Sequence, residues 1–279
     1  MAGPTPTTPT TRPHRAARTS VAAAFVCVSL FAAGPATADD GDGDGGDAKG
    51  KSARELADAA KKELLDAKSL HLRMRNSTDD RDSRTPSTFD LRLDEDGNCA
   101  GKLRMGTGGA KGGSVDLVKR GDEVWMKPDA TFWKAQLPGR SGELAADLIG
   151  DRYVHGTTDD PMLDGFSRTC DLDAFRERLK DGSDRAAKDT LTKGDQKKLA
   201  GTEVVPLTAR DDEERSTLYV TADAPHRLVR ATEKSSGESL TMTLTGYDKP
   251  VPDKTPSADE SIDVSELRGT DPTEAPHAA

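Results

Sequence analysis

The most specific chemical signature in the sequence is GGDAKGKS at residues 45–52, which matches the phosphate-binding loop G-x-x-x-x-G-K-[ST]. That loop binds nucleotide phosphates when a buried strand precedes its first glycine and a helix follows its last residue. A helix can follow here, but the segment before the loop, residues 39–44, reads DDGDGD, and its carboxylates would repel phosphate. The sequence therefore predicts a linker that runs into a helix cap, and no bound nucleotide.

The same acidic segment imitates the start of a calcium-binding loop, with Asp40, Asp42 and Asp44 at alternate positions. Such a loop needs a bidentate glutamate at its twelfth position, which is Lys51 when counted from Asp40. The histidines also lack the spacing of a zinc site that is local in sequence; after residue 38 they are His71, His155, His226 and His277. The sequence predicts no metal and no cofactor.

The common hydrolase motifs G-x-S-x-G and H-E-x-x-H do not occur in the sequence. His71 lies on the polar face of a predicted strand and His226 follows Pro225 at the start of another, so we predict that both lie at the surface. A hydrolase would need one of them within hydrogen-bond reach of both a serine and an aspartate. The sequence favours a protein that is not an enzyme.

Aromatic residues are concentrated in one short segment, where Trp125, Phe132 and Trp133 lie within nine residues. They could anchor the core where a hairpin meets a helical insert. They could instead line the mouth of an apolar cavity, since acyl-binding cavities are built from aliphatic and aromatic side chains with few polar groups.

The composition excludes several classes of protein. Hydrophobic residues make up 33% and aromatic residues 4% of the 279 residues, too few for a multi-span membrane protein. The formal net charge is −9, and nucleic-acid binding requires a surplus of lysine and arginine instead. We therefore expect no nucleic-acid partner.

The N-terminus has the three parts of a secretory signal peptide. Residues 1–20 contain three arginines and no acid, residues 21–33 are apolar, and an A-x-A cleavage signature ends at Ala38. The apolar run is shorter than the roughly 20 residues that span a bilayer. Cleavage after Ala38 leaves 241 residues with a net charge of −12, and predicts a secreted or extracytoplasmic protein, with association at the outer face of the cell membrane left open.

Cys27 could be a lipid-attachment cysteine, although Phe25 and Val26 before it are larger than such a site prefers. The remaining cysteines are Cys99 and Cys170, and an even number in an exported chain predicts one disulfide between them. Two buried thiols, or one nucleophilic thiol, are the alternatives.

A change of period along the chain predicts the elements that follow residue 50. Ser52-Ala53-Arg54-Glu55 is a capping box at the start of a helix that extends to about residue 68. Alternation of apolar and polar residues then predicts five antiparallel strands, with RGD at residues 120–122 as a hairpin turn. A helical insert covers about residues 131–188, with helices at 143–149 and 172–179.

Further strands are predicted within residues 199–246, followed by an ordered patch at 261–267. The order of elements indicates an α+β fold, with one strongly curved antiparallel sheet covered by helices. The predicted organisation is a signal peptide (1–38), a disordered acidic tether (39–50), one domain (51–268) and a disordered tail (269–279).

The stretch GDEVWMKPDATFWK at residues 121–134 resembles a group of secreted or lipid-anchored actinobacterial proteins, as do residues 153–154, 170–173 and the strand before Tyr247. That group is similar to the superfamily of periplasmic lipoprotein carriers and mycobacterial glycolipid-transfer lipoproteins. The resemblance covers roughly residues 51–268. It implies an unclosed β-barrel wrapped over helices, with an apolar cavity that binds a lipid or acyl group. The usual lipid-attachment box is missing here, which allows a freely diffusing form.

We thus expect a monomeric, non-enzymatic carrier or sensor that binds a lipid or acylated ligand between the sheet and the helices. The alternative is a protein-binding envelope-stress sensor or regulatory module of the same fold, which needs no cavity. The residues expected to line the cavity are apolar and come mainly from the strands: Leu72, Met74, Phe89, Leu91, Leu103, Met105, Val124, Trp125, Met126, Trp133, Leu240, Met242 and Leu244.

Overall fold

The computed structural model describes residues 47–268, apart from residues 83, 138, 186–190 and 211–213. The described residues form thirteen β-strands in a single curved, unclosed sheet, together with six α-helices. The α+β fold with a curved sheet is therefore confirmed. The predicted signal peptide, Cys27, residues 39–46 of the predicted tether and the predicted tail from residue 269 lie outside the described residues.

The first half of the chain contributes six strands. They are β1 (Ser69–Thr78), β2 (Pro86–Asp94), β3 (Cys99–Met105), β4 (Ser114–Arg120), β5 (Glu123–Pro128) and β6 (Tyr153–Thr157). The second half contributes β7 (Thr192–Lys193), β8 (Lys197–Leu199), β9 (Thr202–Arg210), β10 (Arg215–Thr221), β11 (Leu228–Ser235), β12 (Glu238–Thr245) and β13 (Ser261–Asp263). The helices are α1 (Ala53–Asp66), α2 (Ala130–Gln136), α3 (Arg140–Ile149), α4 (Pro161–Ser167), α5 (Leu172–Arg185) and α6 (Val264–Arg268).

Two antiparallel meanders join through one central pair of strands. Strands β1 to β6 follow one another across the sheet, and β12 to β9 follow one another on the other side, with β1 hydrogen-bonded to β12. Strand β13 extends the first edge by pairing in parallel with β6, and β7 and β8 extend the other edge by pairing with β9. The two edges do not pair with each other within the described residues, so the barrel stays open.

Helix α1 begins as the capping box predicts. The Ser52 hydroxyl accepts a hydrogen bond from the Glu55 amide, and the Glu55 carboxylate accepts one from the Ser52 amide. Leu56, Ala60 and Leu64 recur every four residues and are fully buried, which places one face of the helix against the sheet. The helix therefore closes part of the sheet's concave side.

The part of the chain that packs against the domain begins before residue 51, where the domain was predicted to start. Residues Ala48–Gly50 form a 3₁₀ turn, and Ala48 is buried in the core with its amide donating to the Ala222 carbonyl. The Lys193 ammonium donates to the carbonyls of Ala48 and Lys51. The last part of the predicted tether therefore packs against the domain, and these contacts occupy the turn where a phosphate-binding loop would need free amides.

The insert between β5 and β7 is less helical than its sequence suggests. Strand β6 lies within it and pairs with β5. Burial alternates along β6, with Val154 and Gly156 buried and their neighbours partly exposed. Helix α2 begins at Asp129, whose carboxylate accepts a hydrogen bond from the Phe132 amide. Both elements are too short to show a clear period in the sequence.

The predicted disulfide is confirmed. Cys99 on β3 is bonded to Cys170, with their Cα atoms 5.4 Å apart, and both residues are fully buried. Asp171 then caps α5 by accepting a hydrogen bond from the Ala174 amide. The bond therefore fixes the start of α5 to the concave side of the sheet.

Candidate functional site

The cross-strand register brings most of the predicted lining residues to one face of the sheet. Residues directly opposite each other in antiparallel strands point to the same side. Leu72 lies opposite Leu91 and Leu244, and Met74 lies opposite Phe89 and Met242. The same rule adds Leu103 (opposite Phe89), Met126 and Val124 (on the face of Leu117), Met105 and Leu240.

Trp125 is an exception, and its assignment to the lining was wrong. It lies between Val124 and Met126 on β5, so the strand alternation turns it to the opposite face. There it stacks on His155 with ring centroids 4.7 Å apart. Trp133, by contrast, is buried in the core from its position on α2.

Other residues of the concave face were missed by sequence reasoning. They follow the same alternation or lie beside it: Leu70, Leu93, Val115, Leu117, Leu218, Leu228 and Ala231. The alternation in β1, β2, β4 and β10 could have identified most of them. Ala231 gives no such signal, because the register of β11 shifts near its start and changes which residues face inward.

The concave face and the helices enclose one continuous apolar cluster. It includes Leu56 and Leu64 of α1, Phe132 and Trp133 of α2, and Phe175 of α5. Along β12 the exposed fraction rises from 0% at Leu244 to 3% at Met242 and 8% at Leu240. The interior is therefore closely packed at one end of the sheet and looser at the other, which we call the Leu240 end.

Methionines are concentrated on this face. Met74, Met105, Met126 and Met242 all lie on it, out of 6 methionines in the chain. Methionine side chains are unbranched and adapt to irregular or changing space. A face built from them can accommodate an apolar guest by changing rotamers.

A carboxyl group lies on the concave face at the Leu240 end. Glu233 of β11 is directly opposite Leu240, and it is half-buried. Burial, together with repulsion from Glu214 and Glu238, raises the pKa of Glu233 to about 8. This group is therefore protonated in the folded protein near neutral pH.

We expect this carboxyl group to make the domain less stable in alkali. Its folded pKa lies above its unfolded value, so its stabilising effect is complete below about pH 4.5 and is lost as the pH rises to about 8. Solvent screening reduces the loss to about 2 kcal/mol. Urea unfolding at pH 5 and pH 8.5 measures it, and Glu233→Gln should flatten the difference, whereas the exposed control Asp147→Asn should not.

His71 forms a polar network on the convex face. Its Nε2 lies 2.6 Å from Asp90 Oδ1, and its Nδ1 lies 3.3 Å from the hydroxyl of Thr245. A hydrolase site of the kind considered above would need a serine hydroxyl beside His71, whereas this hydroxyl belongs to a threonine. The guanidinium group of Arg73 also donates a hydrogen bond to Asp90. The surrounding backbone amides are used by the pairing of β1 with β12 and β2, so they are not arranged as an oxyanion hole. This network links strands and does not form a hydrolase site.

The other two described histidines, His155 and His226, contact neighbouring groups of the protein. His226 was predicted at the surface, but it is buried, with Nδ1 3.1 Å from the Thr221 carbonyl. The burial follows from the turn that returns the chain from β10 to β11. His155 contacts Glu123 and stacks on Trp125. Within residues 47–268, as far as they are described, no group of three or more potential metal ligands is assembled.

The surface also carries an acidic cleft beside the disulfide and two exposed leucines on α3. A cleft of about 360 Å³ lies beside the disulfide, and its carboxylates include Asp94, Glu95 and Asp171, so its lining does not suit an acyl chain. On α3, Leu144 and Leu148 are 60% and 52% exposed. Among the described residues, none of the helices is long and apolar enough to cross a membrane.

Solved structures similar to this chain include two mycobacterial lipoproteins and a LolA superfamily protein. The lipoprotein LppX of Mycobacterium tuberculosis is 14% identical, with a TM-score of 0.46, over 72% of this chain and 97% of that chain. LprF of Mycobacterium bovis is 13% identical, with a TM-score of 0.49, over 74% and 97%. The LolA superfamily protein from Nitrosomonas europaea is 10% identical, with a TM-score of 0.22, over 75% and 99%.

No family model and no curated protein matches the chain. The similar structures are of the kinds that the sequence resembles. At these identities the likeness concerns the fold alone, and the function has to be argued from the side chains of this chain.

Proposed function

We propose that this protein is a secreted, non-enzymatic carrier or sensor that binds the acyl chains of a lipid on the concave face of its sheet. The observation that carries the proposal is the composition of that face. It is formed mainly by aliphatic and methionine side chains from successive strands, with the carboxyl group of Glu233 at its Leu240 end and the ammonium group of Lys119 at the other end, beside the disulfide. Acyl-binding sites have this character.

The open sheet gives an acyl chain a way in. Hydrogen bonds hold neighbouring strands together, but the two edges of the sheet do not pair with each other within the described residues. Among the lining residues, Met105 is only partly buried and Leu240 and Met74 are 8% and 6% exposed, and all three lie at the same end of the sheet. Entry at this end, with rotation of the methionine side chains, requires no break in the sheet.

The test is to express the chain with its own N-terminal segment and to examine it by native mass spectrometry before and after delipidation. We expect a mass adduct that is lost on delipidation, and restored binding of a fluorescent fatty acid to the delipidated protein. Ligand-free protein that has no affinity for fluorescent fatty acids would contradict the proposal.

A second candidate function is a protein-binding module, and the tight packing of the interior favours it. Leu91, Leu103 and Leu244 are at most 2% exposed, which leaves no water-sized space beside them. The exposed pair Leu144 and Leu148 on α3 would then be the contact surface. In that case Leu144→Ser/Leu148→Ser should abolish capture of an envelope protein and leave fatty-acid titrations unchanged.

A further inference from the structure

Helix α2 carries two buried hydrogen-bond donors that the protein does not satisfy. The indole Nε1 of Trp133 and the amide Nε2 of Gln136 are both inaccessible to solvent, and neither has an acceptor among the described residues. Trp133 as a whole is only 6% exposed and belongs to the apolar core. A buried N–H without an acceptor costs about 1–3 kcal/mol, so each such group calls for an explanation.

The two donors lie on one face of the helix. Residues three apart are neighbours on a helix surface, so Trp133 and Gln136 can address the same acceptor. The helix is held firmly at both ends. Asp129 caps its start, and α3 packs so closely against it that a Cβ on Gly142 would lie 2.7 Å from the Trp133 carbonyl oxygen. The side chains therefore cannot reach solvent by a small shift of the helix.

Packing alone does not require these residue types. Phenylalanine at position 133 would keep the ring in the core without an N–H, and leucine at position 136 would fill similar space. Buried tryptophan N–H groups normally have a partner. The pair therefore indicates an acceptor that the chain itself does not supply.

We propose that Trp133 and Gln136 together bind the carbonyl oxygen of an esterified acyl group, and so anchor the head of the lipid on α2. This inference rests on the proposed acyl-binding function. A carbonyl oxygen has two lone pairs and can accept from both donors at once. Both donors are neutral, so they suit a neutral ester carbonyl; a carboxylate buried beside them would lose its hydration without a compensating charge.

The experiment compares conservative variants with two ligands of equal chain length. Trp133→Phe and Gln136→Leu remove the donors and keep the bulk, and Trp125→Phe is the matched control on the convex face. Methyl laurate carries the ester carbonyl, and dodecane carries none. Each ligand is titrated as a competitor against a bound fluorescent fatty acid, and urea unfolding is recorded for every variant.

We expect each donor variant to bind methyl laurate about 10-fold more weakly and dodecane unchanged, with no loss of stability in urea. The control should match the wild type with both ligands. Equal affinities for methyl laurate in the wild type and in both donor variants would overturn the inference while leaving acyl binding intact. Failure of the wild type to bind any of the three ligands would overturn the proposed function, and this inference with it.

A second readout does not depend on the folding of the two donor variants. In Trp125→Phe, Trp133 is the only tryptophan left of the 2 in the chain, so one indole N–H signal remains in the NMR spectrum. Methyl laurate should move that signal downfield, as a new hydrogen bond does, and dodecane should not. The same shift with both ligands would mean that Trp133 senses the acyl chain only, and would overturn the assignment of the carbonyl. Lauric acid added at pH 5 and pH 9 distinguishes a free acid from an ester, since only its neutral form should reproduce the downfield shift.

Discussion

The double variant Cys99→Ala/Cys170→Ala should have a free energy of unfolding about 4 kcal/mol below that of the wild type. The disulfide closes a loop with a sequence separation of 71, and opening it returns that chain entropy to the unfolded state. The total stability of such domains is typically about 5–15 kcal/mol, so the loss is a large share. Urea unfolding followed by circular dichroism measures the change.

Reduction of the wild type provides the control. A thiol reductant should lower the wild-type unfolding midpoint to that of the double variant, and it should leave the variant itself unchanged. A difference below about 1 kcal/mol would show that α5 holds its place on the sheet without the covalent bond.

The faces of the strands could be predicted because alternation depends only on neighbouring residues. In β1 and β12, apolar residues occupy every second position, and these positions all point inward. The capping box of α1 and the disulfide could be predicted for a similar reason, since each depends on residue types and not on distant packing.

The features that the sequence predicted wrongly, or did not predict, depend on tertiary packing. Trp125 was grouped with Trp133 by nearness in sequence, although the pleat of β5 separates Trp125 from the interior. His226 is buried because a turn folds it against the core, and its own neighbours in sequence do not show this. The unsatisfied donors on α2 could not be anticipated either, because an unpaired N–H is defined by what surrounds it in space.

The close packing and the proposed ligand are compatible if the interior can exchange its own side-chain contacts for those of an acyl chain. A face of leucine and methionine gains little specific geometry from self-packing, and dispersion contacts with an alkyl chain are of the same kind. Bound lipid would then be favoured by the additional apolar surface removed from water. In the proposal, the packed interior and an acyl-bound interior are two arrangements of the same surface. A substituted side chain that fills the space that an acyl chain would need therefore tests the proposal.

Substitution Ala231→Phe should reduce the affinity for a fluorescent fatty acid at least 10-fold. Ala231 is a small, buried residue of the concave face, directly opposite Met242 on β12 and Leu218 on β10. A phenyl ring there occupies the space that an acyl chain would need beside Met242. Overpacking should also lower the free energy of unfolding by about 1–3 kcal/mol, so affinity is measured at a temperature where the variant stays folded.

The matched control is Thr232→Phe, which adds the same ring at the next residue of β11. Thr232 lies opposite Thr217 and Thr241 and therefore points to the other face of the sheet. It should bind the fatty acid as the wild type does. If Ala231→Phe is destabilised and yet keeps wild-type affinity, the space beside Met242 is only packed core. Ligand binding would then have to be located away from the β10–β12 half of the concave face, because the only change between the two variants is the side of the sheet on which the ring is placed.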